Sequence, residues 1–413
     1  MKKIHYGWAV CAVCAGVMFC TLGLTSTAFS VFLPYLIEEA GLTNTQGGMI
    51  PTIRPITSTL IVLFSEQIYN RIGKRYALAL SCVMLSLSFV LFSRSSYPYY
   101  LVAALFAGVS YALGGMLTIS LLIRAWFQSD RGLALGICSA GSGLASFLIP
   151  PIAAVMIRQY SLRMALMLPA LIALVVAVCV VLIVKDSPEE KGILPYRTDK
   201  EEHVDKADKK KFDMGTNDRA VWNISIAAVF LMAVVGYGML QNQALLYTSS
   251  GQPPMVVSLL ISLCGITVMI IKPIYGRITD RLGAYRSNFV FFGLLIIGGF
   301  LSTLAGGRNV VVAVAAVICL GISLPIASVG PSLYANDIGG EEKHAKILKI
   351  YQIAIPLGQI LIGPVPGILA DMTGSYVVGY IFMTGTAVAA LLLIQAAYKR
   401  LGILQEEKLS LQE

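Results

Sequence analysis

The chain has 413 residues, 57% of them hydrophobic and 13% charged, with a formal net charge of +9 and a mean hydropathy of +0.77. A soluble protein of this length is about half apolar and a quarter charged. The apolar residues here run in blocks such as Leu171 to Val184 and Val310 to Leu320, too continuous for helices with one wet face. Composition therefore excludes an ordinary soluble enzyme and predicts an all-α polytopic membrane protein.

Met1, Lys2 and Lys3 precede a first apolar block, Trp8 to Leu36, which is too long for a signal-peptide core and reads as a membrane helix. At roughly 20 apolar residues per crossing, the sequence predicts twelve spans, at 8–36, 46–68, 75–94, 98–126, 131–157, 164–185, 221–247, 255–277, 287–305, 309–334, 345–370 and 377–398. Between the sixth and seventh, Lys185 to Ala220 is rich in Lys, Asp and Glu, includes Lys209, Lys210 and Lys211, and lacks periodic apolar residues. It reads as a solvated linker whose basic cluster lies near anionic headgroups. The expected organisation is an N-terminal six-helix half at 1–185, a cytoplasmic linker at 186–220, a C-terminal six-helix half at 221–400 and a cytoplasmic tail at 401–413.

Charge placement predicts orientation. With both termini inside, the inner loops and ends hold 25 of the 31 Lys and Arg and the outer loops four, Arg94, Arg158, Arg163 and Arg308. The linker supplies nine of the 25, and long loops weigh less, but 16 against four still satisfies the positive-inside rule. The charge of +9 is thus no nucleic-acid signature, and the expected location is a cell (inner) membrane with both termini cytoplasmic. The eight cysteines fall inside apolar blocks. Cys11 and Cys14 form a CxxC with no histidine or second pair beside them, so they read as small apolar helix residues rather than a metal or redox site. No cofactor and no metal are expected.

The two remaining cations lie inside spans. Lys272, in Lys272-Pro273-Ile274-Tyr275-Gly276, precedes Asp280 by eight residues, about 12 Å of helix, against a hydrocarbon half-thickness of about 15 Å. A cation near the midplane marks a site by default, and the competing reading is a lysine that snorkels to the inner surface. Arg54, in Ile53-Arg54-Pro55, lies sixteen residues before Asn70, about 24 Å from the inner edge. It reads as an anion-attracting or gating group, or as a partner for backbone carbonyls, one of which Pro55 frees nearby. Of the 22 acidic residues only Glu66 falls clearly inside a span. Polar residues that would complete a cavity are Thr25, Ser26, Thr27 and Ser30, Tyr111 and Thr118, Tyr237, Gln241, Asn242 and Gln243, and Tyr351, Gln352 and Gln359. The run Gln241 to Gln243 is expected to face the lumen or the outer surface. Lys346 and Lys349 are expected as inner-surface charges.

A short motif recurs six spans apart. Asn70-Arg71-Ile72-Gly73-Lys74-Arg75 follows span 2, and Asp280-Arg281-Leu282-Gly283 follows span 8, preceded by Gly276 and followed by Arg286. Glycine permits close helix approach and a tight turn, and the acid and arginines hold the inner side. These two copies in a 6+6 arrangement resemble the major facilitator superfamily of secondary transporters, over essentially the whole chain. The resemblance implies the major facilitator fold, twelve transmembrane helices in two pseudo-symmetric six-helix halves, with Asn70, Arg71, Gly73, Gly276, Asp280, Arg281 and Gly283 as a gating motif. The first copy departs from the pattern, with Asn70 for the Asp and Glu66 for the leading Gly.

Four further segments look like the monocarboxylate transporter and oxalate:formate antiporter branch: His5-Tyr6-Gly7-Trp8; Trp126-Phe127 with Arg131 to Gly136; Gly141-Ser142-Gly143 with Pro150-Pro151; and Gly363-Pro364, Gly367, Asp371 and Gly374-Ser375-Tyr376. That branch carries a carboxylate-binding Arg in span 8 in the context that holds Lys272 here. Lys is a point charge without the guanidinium fork, so carboxylate geometry is expected to be looser. The proton-coupling Asp of animal members has Val268 in its place, and their span 1 Lys matches best near Thr27, so that relay is not carried over.

Two cations and almost no acid in the spans give a positive cavity. The expected function is a secondary active transporter of small organic anions, mono- or dicarboxylates, working by alternating access as proton symport or anion exchange. Its expected partners are the anion, protons and the lipid bilayer, with no nucleic acid. The substrate-binding residues expected are Lys272, Arg54, Tyr237, Gln241, Asn242, Tyr111 and Gln359. The alternative is an exporter of drugs or amphiphilic anions of the same superfamily. No HExxH, GxSxG or paired acids occur in the spans, so no enzyme is expected.

Overall fold

A computed structural model describes residues 5–128, 131–197, 216, 218–305 and 309–410, with the side chains of 131, 132, 273, 280, 281, 305, 341, 342, 345 and 403–410 outside the description. Eleven helices among the described residues are long and apolar enough to cross a membrane: Tyr6–Val31, Ser65–Phe92, Tyr97–Trp126, Leu133–Gln159, Leu162–Ile183, Arg219–Gln241, Pro254–Lys272, Ala284–Leu304, Val310–Gly340, Lys346–Thr373 and Val377–Gly402. The helix Asn44–Leu63 completes the set of twelve. Gly47, Gly48, Thr52, Arg54, Pro55, Thr57 and Ser58 make it the least apolar crossing. Thr43 and Gln46 start it with a capping box, at 3.2 and 3.0 Å, which satisfies two otherwise unpartnered N–H groups.

Span 1 is not a uniform helix. An α-helix over Tyr6–Met18 widens to a π-helix at Phe19–Leu24, and a 3-10 turn follows at Phe29–Val31. Thr21 donates to the carbonyls of Val17 and Gly114, both at 3.0 Å, and Thr25 donates to Thr21 O at 2.5 Å. Hydroxyls that bond back onto the preceding turn compete with the regular ladder and loosen it.

The turn after span 2 is made at Gly73 (φ 79°, ψ 163°), and the turn after span 8 at Gly283 (φ 76°). The first lies in a region of backbone space that glycine alone occupies readily. The Gly73 turn has a specific reason to lack a side chain. A Cβ there would collide with the carboxylate of Asp186, which accepts the backbone N–H of Arg75 at 2.6 Å. Span 10 runs on past 334 to Gly340, where the chain turns again (φ 62°). The closing helix runs Val377–Ser410, beyond the crossing that ends at Gly402, so the expected tail from 401 begins as helix; residues 411–413 lie outside the described residues.

The chain forms two compact units, Met1–Val204 with Gln252–Ile266, and Asp205–Gly251 with Thr267–Glu413. Each has its own apolar core. In the first unit Val10, Cys14, Leu78, Cys82, Ile119, Ile123 and Trp126 are buried together. Small residues set its helix spacing: Gly23 abuts Ala145 and the Ser142 backbone, and Gly141 lies on the backbone of Ala15. In the second unit Gly238 packs on Met383 and Ile362, and Gly358 on Phe230 O and Ala233.

The linker departs from its expected solvated state at its start. Residues 186–197 pack on the first unit. Tyr196 forms a parallel bridge with Phe127 and lies against the rings of His5, Trp8 and Phe127, at 5.4, 5.6 and 5.5 Å. Lys191 lies 3.7 Å over the ring of Tyr6. Apolar and aromatic side chains at Ile193 and Tyr196 are enough to dock a segment whose average composition is polar. At the far end, Thr216 N donates to Ile338 O at 3.0 Å, and Asp218 caps span 7 and pairs with Arg400 at 2.6 Å. Lys209, Lys210 and Lys211 lie outside the described residues.

Candidate functional site

Arg54 belongs to the first unit and is 6% exposed. Its Nη1 donates to the carbonyl of Thr25 at 2.6 Å and contacts the Thr25 hydroxyl at 3.2 Å. Its guanidinium carbon lies 4.9 Å over the ring of Tyr111. The Thr25 carbonyl is left over where span 1 breaks, so the arginine both finds a partner in a dry setting and fastens span 2 to that break. Gly108 brings span 4 against the same place, because a Cβ there would stand 2.9 Å from Arg54 O and 2.5 Å from Thr57 Cβ. The hydroxyls of Thr57 and Ser110 beside it are buried with no hydrogen-bond partner among the described residues. Of the two sequence-level readings of Arg54, bonding to carbonyls describes its geometry here.

Lys272 belongs to the second unit and lies on the unbroken helix Pro254–Leu282. It is half-buried, and it makes no hydrogen bond or ion pair with any described residue. The helix carries it toward the turn at Gly283, and the side chains of Asp280 and Arg281 in between lie outside the described residues. Gly276 has open space around its Cα.

Span 7 ends at Gln241, and a short helix resumes at Gln243. Gln241, Asn242 and Gln243 are all buried, at 2%, 4% and 1% exposure; none lies at an outer surface. Asn242 donates from Nδ2 to Gly238 O at 2.9 Å, which fixes the break. The amides of Gln241 and Gln243 find no hydrogen-bond partner among the described residues. Tyr237 is half-buried one turn before Gln241, and Gln359 is half-buried on the part of span 11 that packs along span 7. The second unit thus brings Tyr237, Gln241, Asn242 and Gln359 onto two packed helices, whereas no hydrogen bond ties Lys272 to them.

Two groups offered for the cavity have structural partners instead. Thr118 contacts Tyr69 OH and donates to Leu113 O, both at 2.6 Å. Tyr351 is fully buried and donates to Ser225 Oγ at 2.7 Å. Lys346 is exposed, 5.4 Å from the Trp222 ring, and Lys349 is exposed. Glu66 is exposed. A further acid within a crossing was hidden by a short reading of span 10: Asp337 is half-buried and accepts the Tyr398 hydroxyl at 2.6 Å. Beside it Tyr334, fully buried, donates to Asn288 Oδ1 at 2.6 Å. The available signal was a group of tyrosines toward the ends of spans 8, 10 and 12.

Comparison with known proteins follows from this arrangement. Monocarboxylate transporter 12 of Mus musculus is 27% identical over 179 residues, 42% of this chain and 36% of that protein. The glycerol-3-phosphate transporter of Bacillus subtilis (strain 168) is 23% identical over 234 residues, 50% of each. The chain therefore spans about a third to a half of the length of these relatives. Monocarboxylate transporter 4 of Gallus gallus is 24% identical over 393 residues, 91% of this chain and 79% of that protein. Among solved structures, a nucleoside transporter superposes with a TM-score of 0.73 at 12% identity, covering 95% of this chain and all of that one, a likeness of fold. The sequence pattern of the Major Facilitator Superfamily matches residues 15–361. With eleven helices among the described residues long and apolar enough to cross a membrane and that match across most of its length, the chain belongs to the Major Facilitator Superfamily.

Proposed function

We propose that the chain is a secondary active transporter of small organic anions, mono- or dicarboxylates, that works by alternating access. The observation that carries this reading is Lys272, a cation half-buried in span 8 with no described counter-charge or hydrogen bond. Such a group in a bilayer is costly unless something pairs with it, and a substrate carboxylate is the pairing that also does work. Binding neutralises the charge, lowers the barrier to moving it through a low-dielectric region, and so couples occupancy to closure. Relatives that carry monocarboxylates and glycerol 3-phosphate support an anionic substrate. Arg54, held by Thr25 and Tyr111, adds a fixed positive field in the first unit. Protons enter either with the anion or not at all, as in exchange. The orientation we propose places the Gly73 and Gly283 turns and both termini on the cytoplasmic side of a cell membrane.

A thermal-shift screen of the purified chain against a panel of carboxylates and against organic cations tests the reading, since a ligand stabilises the state it binds. Stabilisation by one or more carboxylates, lost in Lys272→Ala, is the expected result. Stabilisation by cations alone overturns it.

A further inference from the structure

Span 5 contains adjacent prolines, Pro150 and Pro151. A proline has no N–H, so each leaves the carbonyl four residues earlier without its helical donor. The two carbonyls concerned are those of Ser146 and Phe147. Both face the first part of span 8, which belongs to the same compact unit. Ser262 donates its hydroxyl to Phe147 O at 2.8 Å, replacing the missing bond. Gly265, one turn on, lies flat against Ser146: a Cβ there would be 2.7 Å from Ser146 Cβ, 2.9 Å from its carbonyl carbon and 3.0 Å from its oxygen. Ser262 is 4% exposed, so the contact is dry. In lipid a carbonyl without a donor has no water to turn to.

We propose that Ser262 and Gly265 of span 8, closing on the carbonyls exposed by Pro150 and Pro151, form a latch near the start of span 8, the end of that helix away from the turn at Gly283. This rests on the alternating-access reading. On that reading the sequence halves before and after the linker part at this end, and the start of span 8, which packs with span 5 in one compact unit here, leaves it. Water entering the opened cleft then hydrates Phe147 O. The proline pair makes the carbonyl available to a neighbour, and serine supplies a bond that is made in one state and broken in the other. Ser262 is here a positioning residue that never touches substrate.

The test uses the full chain in lipid nanodiscs, with nitroxide labels at Tyr160→Cys and Met255→Cys, whose native side chains are 70% and 43% exposed, and with Cys179 and Cys319 replaced by Ala. Electron-spin distance measurement reads the ratio of a short to a long separation without any substrate, so failure of the anion assignment leaves the result interpretable. Interhelical hydrogen bonds in membranes shift equilibria by about threefold to twentyfold. Ser262→Ala is expected to move the ratio toward the long separation by that factor, Gly265→Leu further still, and Ser262→Thr little. In a Pro151→Ala background the alanine N–H closes the helical bond to Phe147, and Ser262→Ala is expected to move nothing. A ratio unchanged by Ser262→Ala overturns the latch, as does an equal shift in the Pro151→Ala background or a single short separation in every variant.

Discussion

The guanidinium of Arg54 donates to the carbonyl of Thr25 at 2.6 Å while facing the ring of Tyr111. Span 2 is thereby fastened to the place where span 1 stops being helical. Removing the arginine leaves a buried carbonyl short of its donor, which costs about 1–3 kcal/mol. Arg54→Ala is expected to lower the thermal unfolding midpoint and transport together. Arg54→Lys keeps the charge but loses the flat contact with Tyr111 and is expected to recover only part of the stability. A midpoint unchanged in Arg54→Ala would show that the span 1 break holds itself.

Lys272 is expected to behave in the opposite way. It has no described partner to lose, so Lys272→Ala leaves the midpoint of the empty protein unchanged or raises it, while uptake of the carboxylate found in the screen falls to background. Lys272→Arg retains the charge and is expected to keep partial uptake. Uptake into proteoliposomes, run beside unfolding curves for the same preparations, separates these outcomes. Normal uptake by Lys272→Ala removes the residue from the site.

The contrasting surroundings of Arg54 and Lys272 mark where sequence was informative. Apolar blocks predicted all twelve crossings, the least apolar one at 46–68 included, because membrane burial acts on composition. The Gly73 and Gly283 turns were visible as a recurring motif, because only glycine suits the backbone at Gly73. Less was visible where an outcome depends on what a residue meets. The carbonyl that Arg54 meets belongs to Thr25, 29 residues earlier, a partner that the sequence around Arg54 does not name. Tyr196 sat in a segment whose composition is polar, and its ring contacts come from residues near 5, 8 and 127. Asp337 escaped because the apolar block of span 10 ends before its helix does. The burial of Gln241 and Gln243 reflects neighbours on other spans, which an apolar count along one span does not contain.

Gly73 and Gly283 both turn the chain at positive φ, but their surroundings differ, and substitution will reveal it. At Gly283 no described residue lies within reach of a Cβ, so among these Gly283→Ala meets only the backbone strain of a positive φ, about 1–2 kcal/mol. At Gly73 the Asp186 carboxylate occupies the Cβ position, so Gly73→Ala adds a clash and the loss of the Asp186 bond to Arg75 N. The expected order of unfolding midpoints is wild type, then Gly283→Ala, then Gly73→Ala. Adding Asp186→Ala to Gly73→Ala is expected to cost less than it does in the wild type, a coupling that a double-mutant cycle measures. Strict additivity would show that Asp186 does not read the glycine.

The pair Asp218 and Arg400 predicts a pH dependence of definite sign. The hydrogen bond from Arg400 and the backbone N–H of Ala220 hold the Asp218 carboxyl below the usual Asp range. A group whose folded pKa is depressed contributes stability that is fully present above its unfolded pKa, about 3.9, and lost as pH falls through the folded value. Asp218→Asn is therefore expected to lower the unfolding midpoint at pH 7 by a small amount, since Arg400 is largely exposed and the pair is screened. The gap to wild type should narrow as pH drops below about 4 and shrink in high salt at pH 7. Arg400→Gln should reproduce the loss at pH 7, though Asp218 keeps its cap on span 7 in that variant, so its deficit is expected to be the smaller of the two. A wild-type advantage that persists unchanged to pH 3 would mean that the aspartate acts through packing rather than through its charge.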